Sequence, residues 1–543
     1  MLQQARNMGN WSRASGLELA RRAGRAVTAA AARDVVWWAM AMLLCIGIVL
    51  RMRGMWIGRT ISLWGDEAGW AIRLVDAPLK AHVLRSLGFM AVTKLLVTLF
   101  SASEQVLRFL PWCGGVGAVL ISPLLAGRLL QSSGARLFFV AVIALHPGAI
   151  DLSKEFKPYS VALFLHLLLL FFVLRYADEL RERDLLTAIA IAFFGFMFSQ
   201  DLVLTYPAVF GLLALIAFRA KKRDHFINVV VGAGFALALL LAVRHNVSSK
   251  LGDMDEGALY WGNKYNVFYV EHPDSSRLGW TMSRLYDLAS MPGKRRELWQ
   301  WASVAPETLA GAKSLDAWLW VALCGAGFLA LGWRRRFLQL ALLTVPLVTL
   351  LGFNYFGYWP LGDFRTNLFG LAYFAALAAA AIDTLVAGPL RTPALLPVVL
   401  VVLPFLTVGR SNHARKTFYS ADAHFMQAAR ALMALQGKER GELLVLDAPS
   451  CGPWQYYEGY HPDGKRAKLA RRFHARCEKS APAMIRLVRH ALNEPNARAF
   501  VLASGDKQTA ALKTKLPKDL LVVAQKEFGK GETIVLTLSK RKD

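Results

Sequence analysis

The chain has 543 residues, of which 55% are hydrophobic and only 19% charged, and its formal net charge is +26; mean hydropathy is +0.35. Soluble domains carry roughly 25% charged residues, so a lower share, with apolar runs up to Val408, excludes an ordinary soluble multidomain protein. The basic residues sit in short clusters between apolar runs, as in the cytoplasmic loops of membrane proteins. Membrane lipids, and not nucleic acid, are the partners this pattern implies.

In chain order, residues 1–34 carry Arg6, Arg13, Arg21, Arg22, Arg25 and Arg33 against Glu18 and Asp34, which predicts a basic cytoplasmic arm. No small-residue cleavage site follows the first apolar run, so it reads as an anchor rather than a signal peptide. About eleven transmembrane helices are expected, from runs near the ~20 residues that cross a bilayer. They centre on 35–50, 106–127, 137–150, 161–174, 185–197, 202–218, 226–243, 317–332, 337–353, 368–387 and 393–408.

The run 87–100 is shorter and interrupted by Lys94. If it crossed, four basic loops would lie outside: Arg128 and Arg136; Arg175, Arg181 and Arg183; Arg219, Lys221, Lys222 and Arg223; and Arg334, Arg335 and Arg336. That violates the positive-inside bias repeatedly, so 87–100 is read as a juxtamembrane helix at the headgroup boundary. The transmembrane domain is then 35–409. Its first loop, 51–105, and the segments 151–159, 199–206, 244–316 and 354–367 face outside. The protein is expected to be multi-pass in the inner (plasma) membrane.

Residues 410–543 form the second unit, a small α/β soluble domain on the extracytoplasmic (periplasmic) side. A helix is expected over 421–436, strands near 442–447, 497–503, 520–524 and 533–538, a helix near 483–492 and another between the later strands. Pro449, Gly452 and Pro453 mark a turn. The tail has 25 Lys/Arg against 13 Asp/Glu, which fits a solvated surface or contact with anionic groups. In an extracytoplasmic tail, Cys451 and Cys477 are candidates for a disulfide.

Three constellations carry possible chemistry, all on the outer face. Asp66 and Glu67 follow the first span; either they complement the dipole of a helix beginning there, or one is a general base. Asp151, Lys154, Glu155, Lys157, Pro158 and Tyr159 crowd one short loop, readable as a structural turn or as a polar pocket whose lysines take a phosphate. Tyr358, Asp363 and Arg365 precede the span at 368. The aromatics there match an interfacial belt, but Arg365 runs against the charge bias and is a strong phosphate ligand.

At these residues the chain resembles the GT-C superfamily of membrane glycosyltransferases, in particular the protein O-mannosyltransferase and aminoarabinose transferase-like branch (glycosyltransferase family 39-like). The resemblance comprises Trp64-Gly65-Asp66-Glu67, Glu104 to Pro111 with Arg108 between them, Pro147 followed by Lys154 to Tyr159, and Tyr358 to Thr366. It implies a GT-C-like helical membrane fold and transfer of a hexosyl or pentosyl group from a polyprenyl-phosphate sugar donor, usually with inversion. The acceptor would be a lipid, glycan or protein at the outer face. Asp66 would then be the base, with Glu67 beside it. Glu155, Tyr159 and Tyr358 would shape the pocket, and Arg365, Lys157 and Lys154 would receive the donor phosphate. The family leaves metal dependence open: a divalent cation (Mg or Mn) on Asp66 and Glu155, or none. A transporter or flippase of a lipid-linked glycan is the alternative, and would be marked by charges at mid-membrane and inverted repeats. A non-catalytic assembly protein docking through the basic tail is a third class.

Overall fold

The computed structural model describes residues 36–57, 63, 65–78, 86–251, 276–289, 315–362 and 365–387. In the tail it describes 442–462, 473–478, 480–493, 499–503, 519–528 and 533–540, with a few isolated positions. The arm 1–34, most of 244–316, the expected span 393–408, nearly all of the expected helix 421–436, and Trp64 and Asp363 lie outside the described residues.

Each of the first ten expected spans is mainly helical. Their principal helices are α1 (Val36–Met52), α5 (Phe109–Leu129), α6 (Ser133–Leu145), α8 (Tyr159–Glu179), α9 (Glu182–Phe198), α10 (Tyr206–Arg219), α11 (Arg223–Leu251), α13 (Leu315–Trp333), α14 (Phe337–Tyr355) and α15 (Gly370–Ala387). Among the described residues, five helices are long and apolar enough to cross a membrane: Phe109–Leu129, Tyr159–Glu179, Gln200–Arg219, Arg223–Ala242 and Phe337–Tyr355. Shorter helices complete the first loop, α2 (Gly65–Asp76), α3 (Leu87–Leu99) and α4 (Glu104–Leu107), and α12 (Arg277–Ala289) lies in the long loop.

The expected span 137–150 is not one helix. α6 stops at Leu145, and Pro147 opens a separate turn, α7 (Pro147–Leu152). Proline lacks the N–H that would continue the ladder but suits a first helical position, and His146 caps the new turn by accepting the Ala149 N–H at 3.3 Å. This break aims the Asp151–Pro158 loop back over the bundle. α5 packs closely along α8: a Cβ on Gly114 would lie 2.7 Å from the Val161 backbone, the small-residue contact by which membrane helices approach. α3 abuts the end of α9, its Gly88 against Met197. Lys94 donates to the Ala77 carbonyl at 2.7 Å, so the charge interrupting the apolar run is satisfied at the foot of α2.

The tail is an α/β unit with a five-stranded sheet in the order β2-β1-β3-β5-β4. These are β1 (Glu442–Asp447), β2 (Phe473–Glu478), β3 (Ala499–Ala503), β4 (Leu520–Phe528) and β5 (Thr533–Lys540). β1 runs parallel to both β2 and β3, and β5 antiparallel to β3 and β4. The expected turn at Pro449 and Pro453 is instead a helix, α16 (Ala448–Gly459). Asp447 caps it by accepting the Ser450 N–H, and Pro449 occupies the first turn, where no N–H is needed. α17 (Ala481–Ala491), capped by Ser480, follows β2. One apolar cluster joins the first loop to the tail: Ala71, Leu74, Phe89 and Phe156 pack with Leu444, Trp454 and Tyr457.

Candidate active site

The adjacent acids at the start of α2 part company because neighbouring helix positions do not face the same way. Ala68, Ala71 and Leu74 are fully buried, and Glu67 falls on their face. It is enclosed, receiving both a 2.9 Å and a 2.5 Å bond from Arg108 and the Phe156 N–H at 2.5 Å. Asp66 lies on the outer face, its side chain 45% exposed, with Lys157 Nζ 2.6 Å from Oδ2. Trp70, one turn on from Asp66, lies under the same ammonium at 3.8 Å from the ring centroid, a cation–π contact that holds the charge in place.

The loop after α7 is pinned by Phe156, fully buried between Phe89 (5.7 Å, stacked) and Trp70 (6.2 Å, edge-on). Its flanking charges are thereby fixed. Glu155 takes Arg365 at 2.5 Å, and Arg365 also approaches Asp66 Oδ2 at 3.9 Å. The Arg365 guanidinium lies 5.5 Å from the centre of the Tyr159 ring. Arg365 is delivered by the loop ahead of α15, which Asn367 braces by donating to the Pro360 carbonyl at 3.0 Å.

Burial pushes the Glu155 carboxyl up to about 6 against the pull of Arg365, and pushes the Lys157 ammonium down to about 8 against the pull of Asp66. Both groups thus titrate closer to neutral pH than usual while staying charged between about 6 and about 8, and shifts of this kind cluster at functional sites.

Of the residues expected from sequence, Asp66, Glu67, Glu155, Lys157, Tyr159 and Arg365 converge. Lys154 turns to Asp151, 3.8 Å away. Tyr358 stands 42% exposed, its ring against Phe353 and Phe356. Cys451 and Cys477 are joined in a disulfide, tying α16 to β2. The role of Arg108 was not read from sequence. The available signal was a charge at the mouth of an apolar span, which is expensive there unless paired; its partner, 41 positions upstream, left no mark. Three carboxylates (Asp66, Glu67, Glu155) face three cations (Arg108, Lys157, Arg365). One oxygen of each carboxylate expected to ligate a divalent ion is paired with a cation, Asp66 Oδ2 with Lys157 and Glu155 Oε1 with Arg365. Among the described residues no group of three or more His, Cys, Asp or Glu is disposed to hold a metal.

No family model matches the chain, and no curated protein matches it. Among solved structures it is similar to ArnT from Cupriavidus metallidurans in the apo state, at 12% identity over 93% of this chain and 98% of that one, with a TM-score of 0.48. The same protein bound to undecaprenyl phosphate gives 13%, 92%, 97% and 0.48. The archaeal oligosaccharyltransferase AglB from Archaeoglobus fulgidus, in complex with an inhibitory peptide and a dolichol-phosphate, gives 15%, 88%, 70% and 0.46. Likeness at this distance assigns nothing to individual residues.

A second buried polar group lies below the site. His166 Nδ1 is 2.8 Å from the Tyr373 hydroxyl and Nε2 is 3.8 Å from Asp201, with Phe369 stacked on the imidazole at 4.6 Å. All of these side chains are buried.

Proposed function

We propose that the protein is a membrane glycosyltransferase that moves a sugar from a polyprenyl-phosphate donor to an acceptor hydroxyl at the extracytoplasmic face. One observation carries this reading: a half-exposed carboxylate, Asp66, sits against two cations, Lys157 and Arg365, that are themselves held from behind by buried partners. Sugar transfer needs a base for the acceptor and positive charge for the departing phosphate. Asp66 takes the acceptor O–H proton as that oxygen bonds to the anomeric carbon. The bond from that carbon to the phosphate oxygen breaks on the opposite face, giving inversion. The polyprenyl phosphate leaves with the electron pair, and Arg365 and Lys157 neutralise it. Glu67 holds α2 through Arg108 and does not meet substrate, while Glu155 orients Arg365. The disulfide agrees with an oxidising, extracytoplasmic setting for the tail.

Among the described residues, the alternative, a transporter or flippase, finds support in the His166–Asp201–Tyr373 group, since intramembrane polar residues mark transport pathways. His166 lies seven positions into α8, about 10 Å below its start in a helix about 31 Å long, nearer the middle than the site end. Depth does not count against this alternative; the paired charges around Asp66 are what favour transfer.

Asp66→Asn and Arg365→Ala are each expected to cut transfer from a purified polyprenyl-phosphate sugar by about 100-fold or more. Unchanged turnover in both would overturn the assignment.

A further inference from the structure

We infer that the C-terminal domain is part of the catalytic apparatus: α16 latches the first loop through Tyr457 and His461 on Glu104, and so fixes the helix that carries Asp66. This rests on the glycosyltransferase reading for what the latch serves, but not for its existence.

The contacts form a continuous chain. The Tyr457 hydroxyl donates to Glu104 Oε1 at 2.8 Å and itself accepts the Leu63 N–H at 3.0 Å, just ahead of α2. His461 Nε2 meets Glu104 Oε2 at 3.0 Å. Glu104 is one turn before Arg108, whose N–H donates to the Glu104 carbonyl at 3.0 Å, and Arg108 grips Glu67 on α2. Two further tail hydroxyls reach the same loop: Tyr456 donates to the Ala102 carbonyl, and Tyr460 to Asp76 at the far end of α2. α2 is therefore held at both ends by one tail helix, with Trp454, Tyr456 and Tyr457 fully buried beneath it.

The chemistry of the joint is that of a positioning device. Burial would push the Glu104 carboxyl up, but its bonds from His461 and Tyr457 outweigh that and hold it below the usual range. Glu104 is therefore an anion buried at the domain junction, and a buried charge persists only while its partners stay. A purely solvated tail would need none of this. The cationic half of the site, Lys157 and Arg365, is fixed chiefly by Phe156, Glu155 and the loop ahead of α15. Loss of the latch should accordingly move Asp66 while leaving donor binding in place.

The test uses the full-length protein in detergent with a polyprenyl-phosphate sugar. Tyr457→Phe retains the buried ring and removes one hydroxyl; His461→Gln retains a donor. Displacement of a reacting group by about 1 Å can lower rates up to 100-fold, so Tyr457→Phe is expected to lower kcat between about tenfold and 100-fold with the donor KM unchanged, and His461→Gln to retain most of the rate. Hydrogen exchange over 65–76 should accelerate in Tyr457→Phe and more so in Tyr457→Phe/His461→Ala. Arg489→Ala, which breaks an exposed tail ion pair with Asp519, should change neither. Unaltered exchange over α2 in the double variant overturns the latch whatever the activity shows. So does a rise in donor KM equal to the fall in kcat. If Asp66→Asn leaves turnover intact while the exchange result holds, the enzyme assignment fails and the latch stands.

Discussion

The two ends of the helical bundle both gather charged residues and treat their cations differently. At one end Arg108, Lys157 and Arg365 are only 2–3% exposed. At the other, Arg128, Arg175, Arg181, Arg334 and Arg336 are 19–50% exposed and pair with Asp178, Glu179, Asp184 and Asp383. Exposed pairs are screened and worth about 0–1 kcal/mol each; buried ones must offset a desolvation penalty of several kcal/mol per ion. Apolar packing would be the cheaper way to close the first end, and charges kept there are what the proposed donor phosphate would meet. The charges at the second end satisfy helix termini, as where Asp383 accepts the Gln131 and Ser132 N–H groups at 3.0 and 2.6 Å, and they carry the positive-inside signal.

The largest effect that should separate the two ends comes from Arg108→Met. It strips Glu67 of its two guanidinium bonds and leaves an anion buried, a change that costs about 3–5 kcal/mol in comparable pairs. The midpoint of thermal unfolding should fall accordingly, and a replacement that unfolds with the wild type would remove the distinction drawn above.

Much of this contrast was legible in the sequence. Arg-rich loops on alternate turns predicted that one end would gather the arginines, and Arg128, Arg175 and Arg181 do meet there through Glu179. Arg365 stood out as a charge against the bias, Asp66 as one of two adjacent acids, and Lys157 in a loop crowded with both signs; the structure brings the three together. What stayed hidden were partners distant along the chain. Nothing in Glu104 announces Tyr457 and His461 more than 350 positions later, and nothing in Glu67 announces Arg108. Pro449 and Pro453 misled in the opposite direction, since a proline pair reads as a turn until an Asp447 cap makes the first of them a helix start. β2 does alternate, with Phe473, Ala475 and Cys477 against His474, Arg476 and Glu478, but so short a run among basic residues does not read as a strand; it is the edge partner of β1.

A smaller effect follows from pH. Glu155 is raised to about 6, so it lends stability fully below its ordinary range and loses that contribution as pH rises through about 6. Lys157 is lowered to about 8, so it lends stability above its ordinary range and loses it as pH falls through about 8. Between those values both groups are charged, and neither stabilises the fold on its own account, which again points to a ligand as the reason for their charge. Polyprenyl-phosphate binding should be flat from about pH 6 to about pH 8. It should weaken above that window as Lys157 loses its proton, by at most about tenfold per unit, and tighten below it as protonated Glu155 releases Arg365. Titration of tryptophan fluorescence with the lipid phosphate reads this directly. Lys157→Arg, which keeps its charge, should flatten the upper limb.

The smallest effect is expected from Arg181→Ala at the opposite end. Arg181 is 50% exposed and its 2.8 Å pair with Glu179 is one of three contacts to that carboxylate, the others coming from Arg128 and Arg175. Removing it leaves Glu179 neutralised twice over, so stability should change by less than about 1 kcal/mol and transfer should not change. Its informative consequence is salt dependence: whatever small loss appears at low ionic strength should vanish near 0.5 M salt, where the Debye length falls to about 4 Å. The loss from Arg108→Met should persist there, because a pair enclosed by protein is hardly reached by counterions. A salt-insensitive defect in Arg181→Ala would mean that this end, too, is electrostatically sealed, and the asymmetry between the two ends would then have to come from the ligand alone.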